Sequence, residues 1–313
     1  AAVQRREIEV VAVNDLGSIE AGSHLFKYDS IHGEFKGDVS VDNDDMVVNG
    51  QKIKYLSEKD PEKLPWDEMG IQIVIEGTGV FRTREGAAKH LKAGAHKVVI
   101  TAPGKGADMT MVMGVNEEKY LPQYDIISSA SCTTNCLAPV AKVLLKEFGI
   151  VKGLMTTVHS YTNDQRILDL GHSDLRRARA ANMSLIPTTT GAASALGLVI
   201  PELAGKLDGM AIRVPTPDVS LVDLTIELEK PSNAKEINQA FYAASQTYLK
   251  GILKYTEEPL VSSDYQGEES SAVVDGLLTM SIGDRMAKVI AWYDNEWGYS
   301  VRVLDAVSYI ASK

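Results

Sequence analysis

The segment from residue 71 to 130 constrains the fold most. "IQIVIEGTG" is a continuous apolar run closed by glycines, the pattern of a strand buried on both faces. "REGAAKHLKAGA" follows and reads as a helix, and "KVVITAP" and "IISSA" read as further strands. Strand, helix, strand at this rhythm predicts a parallel, doubly wound sheet. "EVVAVND", residues 9–15, is another apolar run, ending in an acidic residue. "MVVNGQKIKY" places Asn49-Gly50 between alternating flanks, the signal for a two-residue hairpin.

The second half has a different pattern. "GLMTTVHSY", "GMAIRVPT", "VSLVDLTIELEK", "AVVDGLLTMSI" and "MAKVIAWYD" are long strand candidates. One clear helix, "AKEINQAFYAASQTYLK", lies among them, and Gly283-Asp284 suggests a tight turn between the last two strands. Such connections build a largely antiparallel sheet. "WGYSVRVLDAVSYIASK" has apolar residues at helical spacing and is able to pack on either half. The chain of 313 residues is long enough for about two domains. The first reads as α/β up to about residue 131, the second as α+β. A net charge of −10 argues against a nucleic-acid backbone or an acidic membrane surface as partner. The two cysteines, spaced i, i+4, are poorly placed to bridge, and a reducing cytoplasm is the expected compartment.

Cys132 stands in "SSASCTTNCLAPV", where a strand hands over to a helix. A thiol at a helix start meets unpaired N–H groups and the positive end of the dipole, which favours the nucleophilic thiolate. Ser131, Thr133 and Thr134 supply capping groups and backbone donors for an anion. The competing reading is a buried core cysteine, which is the expectation for Cys136. His159, at the end of a strand candidate in "TTVHSYTNDQR", is the best base candidate. His24, His32, His90, His96 and His172 lie in helix or loop contexts expected to be solvated. Arg176, Arg177 and Arg179 in "DLRRARAA", Arg213 in "IRVPT" and the Thr188–Gly191 stretch of "PTTTGAA" have the donors that phosphate-type anions require. "PTTTGAA" opens an apolar helical run, as a helix N-terminal anion site does.

"SCTTN", "HSYTNDQR", "DLRRARAA", "PTTTGAA", "RVPTP" and "WYDNEWGYS" together resemble the phosphorylating glyceraldehyde-3-phosphate dehydrogenases, in order and in spacing, from about Val10 to the C-terminus. The resemblance implies a Rossmann-type doubly wound NAD-binding domain over residues 1–131, with the helix 297–313 returning to it. It implies an α+β catalytic domain over 132–296. It makes Cys132 the nucleophile that forms a thiohemiacetal and then a thioester, and His159 its base. Thr162 and Arg213 resemble the pair that holds the substrate's own phosphate. Ser131, Thr133, Arg177, Thr190 and Gly191 resemble the groups around the attacking inorganic phosphate. Asp15, Lys59, Thr101 and Asn295 resemble cofactor-binding positions, Asp15 for the ribose hydroxyls and Asn295 for the nicotinamide carboxamide. NAD as coenzyme, glyceraldehyde 3-phosphate and phosphate as substrates, no metal, and a homotetramer follow by the same analogy. The loop 161–183 would pack between subunits.

Departures from the family pattern are Ser129, where Asn is usual, Gly171, where Pro is common, and Lys59, where an Arg is frequent. A Gly-rich fingerprint is expected about 20 residues before the ribose acid, yet no glycine precedes Asp15. The first strand and its phosphate loop are therefore expected either upstream of Ala1 or to be absent, and NAD affinity for the 313-residue chain is expected to be weak. Two rival readings are an erythrose 4-phosphate dehydrogenase, separable by phosphate dependence, and a cofactor-independent cysteine acyl-transfer enzyme. A non-catalytic binding protein would alkylate at Cys132 and turn over nothing.

Overall fold

A computed structural model describes all 313 residues. They divide into two units, residues 1–109, 121–129 and 307–313 in the first, and 110–120 and 130–306 in the second. In the first half of the chain the elements are β1 (Ala12–Asn14), α1 (Ile19–Lys27), β2 (Tyr28–Asp29), β3 (Gly33–Glu34), β4 (Val39–Asp42), β5 (Asp45–Val48), β6 (Gln51–Leu56), β7 (Ile73–Glu76), α2 (Arg84–Lys92), β8 (Lys97–Ile100), β9 (Met109–Thr110) and β10 (Ile126–Ser128). Hydrogen bonding arranges most of them as two four-stranded sheets, β1-β6-β5-β4 and β7-β8-β10-β9. β7, β8 and β10 run parallel, as the 71–130 pattern requires. Val98, Val99, Ile100, Ile126 and Ile127 are fully buried, which explains their lack of apolar–polar alternation. The Asn49-Gly50 hairpin is present, with φ of 50° and 82°, the left-handed pair of a type I′ turn.

The second unit is built on α3 (Cys132–Phe148), β11 (Ile150–Ser160), β12 (Ile186–Thr189), α4 (Ala192–Val199), β13 (Leu207–Val214), β14 (Ser220–Leu228), α5 (Ala234–Gln246), β15 (Leu253–Thr256), β16 (Ala272–Asp275), β17 (Met280–Ile282) and β18 (Met286–Tyr293), followed by α6 (Trp297–Ala311). One sheet runs β12-β13-β11-β14-β18-β16-β15, with β17 on β18. Only β11–β13 and β15–β16 pair in parallel. β14 alternates strictly, with Val222, Leu224, Ile226 and Leu228 buried and the residues between them half exposed. The buried face packs against α3, whose Cys136, Leu137, Val140 and Leu144 have no exposed surface. Each such side chain contributes about 1.5–3 kcal/mol on burial. α4 is the short helix opened by "PTTTGAA". The last helix is divided, grouping with the second unit up to Ala306 and with the first from Val307.

Candidate active site

The start of α3 is shaped by a short turn after β10. Ala130, buried and non-glycine, adopts a left-handed φ of 57°, and its carbonyl accepts the Tyr299 hydroxyl at 2.9 Å. Ser131 is then the N-cap, its Oγ accepting from Thr134 N at 3.1 Å. Asn135 Nδ2 donates to Ser131 O at 3.0 Å. Cys132 is thereby fixed as the first helical residue, where orphan N–H groups concentrate.

His159 reaches this point through strand periodicity. Met155, Thr157 and His159 lie two apart on the β11 face that α3 covers. The Cys132 Sγ and His159 Nε2 atoms are 3.4 Å apart. Tyr293, at the end of β18 and fully buried, ties the two elements together. Its hydroxyl is 2.9 Å from Thr133 Oγ1 and 3.0 Å from Thr157 Oγ1.

Arg213 stands opposite His159 in the parallel β11–β13 register. His159 Nδ1 lies 2.7 Å from Ser160 O and 2.8 Å from Arg213 Nη1. Both cannot bond at once, because the carbonyl requires a proton on Nδ1 and the guanidinium requires a lone pair there. With Nδ1–H on the carbonyl, Arg213 still donates to the same oxygen at 3.0 Å. Nε2 then offers its lone pair to the thiol, as a general base must.

Burial governs the protonation of this pair. It pushes the Cys132 thiol up, and the Arg213 charge and the N–H groups of the helix start only partly oppose it. It drives the His159 imidazole down to about 3, with the Arg213 charge adding to the shift. Burial thus disfavours both charged forms and works against the thiolate that the helix-start position favours. Cys136 is buried and its thiol is pushed well up by burial, as a packing residue's would be.

Among the anion-binding candidates, Arg177 donates Nε to Thr188 Oγ1 at 2.9 Å and Nη2 to Thr189 O at 3.2 Å, and Nη1 pairs with Asp164. Thr188 also donates to Asp174 at 2.6 Å. Arg177 is thus anchored on β12, which leads directly to Thr190 and to Gly191, the N-cap of α4. Thr190 Oγ1 accepts from Ala192 N at 3.2 Å. Of the other two candidates, Arg213 lies against His159 and Ser160, and Thr162 N–H donates to Gln165 Oε1 at 3.3 Å. Arg213 Nε is buried and has no partner, an orphaned donor beside the cysteine–histidine pair.

Among the cofactor candidates, Asn295 accepts from Ser220 Oγ at 2.6 Å through Oδ1, which leaves its NH2 as the donor on the other side of the amide. Asp15, exposed after β1, accepts from Gly17 N at 2.7 Å with Oδ1 only. A Cβ on Gly17 would stand 3.1 Å from that oxygen, so glycine keeps the carboxylate open. Such a carboxylate suits a pair of ribose hydroxyls. Lys59 is exposed, and Thr101 closes β8, donating N–H and hydroxyl to Glu76 O at 3.1 and 3.2 Å. His90 departs furthest from the solvated expectation: it is buried at 5% exposure, on the α2 face shared with Ala87, and His172 is half-buried against Asp174. Ser220 carries no motif of its own, and Tyr293, though it stands in "WYDNEWGYS", is given no role by the motif; their importance emerges only from these contacts.

Residues 131–295 match the family model for the C-terminal domain of glyceraldehyde 3-phosphate dehydrogenase, and residues 1–84 match that for its NAD binding domain. The chain is 62% identical over 314 residues to a glyceraldehyde-3-phosphate dehydrogenase of Geobacillus stearothermophilus, covering 100% of this chain and 94% of the relative. It is 58% identical to glyceraldehyde-3-phosphate dehydrogenase 1 of Bacillus subtilis (strain 168), with the same coverage. The chloroplastic enzyme GAPB of Arabidopsis thaliana is 59% identical over 310 residues, 98% of this chain and 69% of the relative.

Proposed function

Because this chain belongs to the glyceraldehyde-3-phosphate dehydrogenase family and is an NAD-dependent oxidoreductase acting on glyceraldehyde 3-phosphate, we propose that Cys132 is its nucleophile and His159 its base. The observation that carries this reading is the 3.4 Å approach of Cys132 Sγ to His159 Nε2 at the first turn of a helix.

The chemistry follows from the groups present. As the sulfur attacks the aldehyde carbon, its proton passes to His159 Nε2, and the Ser160 carbonyl steadies the resulting imidazolium through Nδ1–H. The product is a thiohemiacetal on Cys132. His159, now basic again after proton exchange, takes the hydroxyl proton of that adduct. NAD⁺, when bound, supplies the hydride acceptor for oxidation to the thioester. Inorganic phosphate then attacks the thioester carbon and releases 1,3-bisphosphoglycerate, with Cys132 leaving as thiolate. Arg213 and Thr162 hold the substrate's phosphate, a role supported by the unpartnered Arg213 Nε. Ser131, Thr133, Arg177, Thr190 and Gly191 receive the attacking phosphate, a role supported by the anchoring of Arg177 beside the α4 start. Asp15, Lys59 and Thr101 serve the adenosine end of NAD and Asn295 its carboxamide. In this reading residues 1–131 with 297–313 carry the cofactor role and 132–296 the catalytic role.

The assembly is proposed as a homotetramer. Support comes from exposed apolar side chains on the 161–183 loop (Ile167, Leu168, Leu170, Met183) and on the outer face of the large sheet (Leu154, Met210, Met286). A cytoplasmic setting is supported by the two free thiols. No helix is long and apolar enough to cross a membrane. The test is absorbance at the NADH wavelength with glyceraldehyde 3-phosphate, with and without inorganic phosphate. Sustained turnover is expected only with phosphate. Equal turnover without it would reject the phosphate-attack step and favour water as the acceptor.

A further inference from the structure

We propose that Trp66, His90 and Glu76 are positioning residues, a buried relay that fixes the Gly77-Thr78-Gly79 turn and so sets the affinity for NAD. The proposal rests on NAD being the coenzyme. All three side chains are at most 5% exposed. The Trp66 indole N–H donates to His90 Nδ1 at 3.0 Å. An indole nitrogen only donates, so Nδ1 is the acceptor and the ring proton sits on Nε2. His90 Nε2 lies 2.9 Å from Glu76 Oε2 and therefore donates to it. Glu76 Oε1 accepts Thr78 N–H at 2.8 Å and also the Thr78 hydroxyl. The hydroxyl oxygen in turn accepts Val80 N–H at 3.1 Å.

Every bond in this chain has one allowed direction, and those from His90 and from Thr78 of the turn converge on the Glu76 carboxylate. Burial by itself would raise the Glu76 carboxyl, but the bonds from His90 and Thr78 outweigh it and hold the group below the usual carboxylate range. A buried carboxylate is an expensive way to fill a core, where an apolar side chain of similar volume would serve stability better. What the carboxylate provides instead is a rigid turn. The turn follows β7, at the carboxyl end of the parallel strands β7, β8 and β10, and dinucleotides bind at that edge of doubly wound sheets. Gly79, at a φ of 71°, completes the bend. The Glu76 carbonyl also receives both donors of Thr101, so the relay reaches a residue assigned to NAD.

The competing role is core packing alone, and three variants of the full-length protein separate the two. Glu76→Gln keeps the volume but turns one acceptor into a donor, facing either His90 or Thr78. His90→Leu removes the N–H donated to Glu76, and His90→Gln returns an amide donor in its place. Kd and KM for NAD are expected to rise about tenfold in Glu76→Gln and His90→Leu, the equivalent of one to two lost hydrogen bonds. kcat and KM for glyceraldehyde 3-phosphate should stay within about twofold, and His90→Gln should recover most of the NAD affinity. Folded Glu76→Gln and His90→Leu proteins with wild-type NAD constants, whatever their melting temperatures, would overturn the proposal. So would His90→Gln binding NAD no better than His90→Leu. A wild-type protein without saturable NAD dependence would instead refute the coenzyme assignment on which the proposal rests.

Discussion

Replacing Tyr293 by Phe deletes one oxygen atom and tests whether the site is held together by the contact described above. The ring keeps its place, since Phe fills the same buried volume. Two hydrogen bonds disappear, at 2.9 Å to Thr133 and 3.0 Å to Thr157. Each is worth about 1 kcal/mol net, the low end of the cost of about 1–3 kcal/mol for a buried hydroxyl left without a partner. Both threonines are at most 4% exposed, so water does not readily replace the lost partner. A destabilisation of roughly 2–3 kcal/mol follows. The catalytic effect is separate, because Thr133 is beside Cys132 and Thr157 is two residues from His159 on the same strand face. Loosening that tie widens a Cys132–His159 approach already at 3.4 Å. Misplacement by a fraction of an ångström should slow acylation roughly tenfold. Urea unfolding measures the first effect, and the rate of Cys132 alkylation by iodoacetamide together with kcat measures the second. A double-mutant cycle with Thr157→Val should show coupling of about 1 kcal/mol between the two hydroxyls. A Tyr293→Phe enzyme with stability and kcat both unchanged would refute the idea that this hydroxyl aligns the pair.

Cys132→Ser should abolish dehydrogenase activity while the protein stays folded, because a hydroxyl remains protonated where a thiol ionises; Cys136→Ser should lose far less, and equal activity of the two variants would reject the assignment of nucleophile. His159→Asn should lower kcat by roughly 10²–10⁴-fold, the usual cost of a missing general base, with a single-turnover acylation assay as the check. Asp15→Ala should narrow the preference for NAD over NADP, since the carboxylate would repel a 2′-phosphate; equal kcat/KM for both coenzymes in the parent would remove the basis for this. Burial and the neighbouring Asp294 raise the Asp218 carboxyl to about 7, so the folded state holds a proton there that the unfolded state releases near pH 4. That contribution to stability is complete below pH 4 and lost as pH rises through 7. Relative to the parent, Asp218→Asn should therefore gain stability with rising pH, by up to about 1.4 kcal/mol per unit between pH 4 and 7 in denaturant titrations, and a flat difference would refute it.

What the sequence revealed of fold and site depended on the range of the interactions. The parallel strands β7, β8 and β10 and the Asn49-Gly50 hairpin are written in local pattern, and the helix start at Cys132 is written in its Ser131 cap. The face of His159 follows from counting by twos along β11. Tyr293 stands in "WYDNEWGYS", but its role as a tie is not legible there, because its partners lie 136 and 160 residues away. Ser220, 75 residues from Asn295, is hidden for the same reason. The burial of His90 is masked in the sequence because "KHLK" surrounds it with lysines. Lys89 and Lys92 do reach outward, to Asp60 and Glu62, but His90 is three residues after Ala87 and so shares its buried face.

The balance of effects on the cysteine is not legible in the sequence, for a deeper reason. A helix start acts on a thiol through a few nearby N–H groups, and that effect is local enough to be read from a motif. Desolvation depends on everything packed around the sulfur, which no short motif records. Here desolvation wins at both members of the pair, raising the thiol and lowering the imidazole. Arg213 acts on the two with opposite signs: its charge stabilises a Cys132 thiolate and opposes a His159 imidazolium. It lies 2.8 Å from His159 Nδ1, where the opposing effect is concentrated. A phosphate on Arg213 compensates that charge at the ring nitrogen and gives the guanidinium a better acceptor than imidazole. Nδ1–H is then free to remain on the Ser160 carbonyl, and Nε2 is readier to take the thiol's proton. In the proposed reaction, one arginine thus links recognition of the substrate's phosphate to activation of the nucleophile.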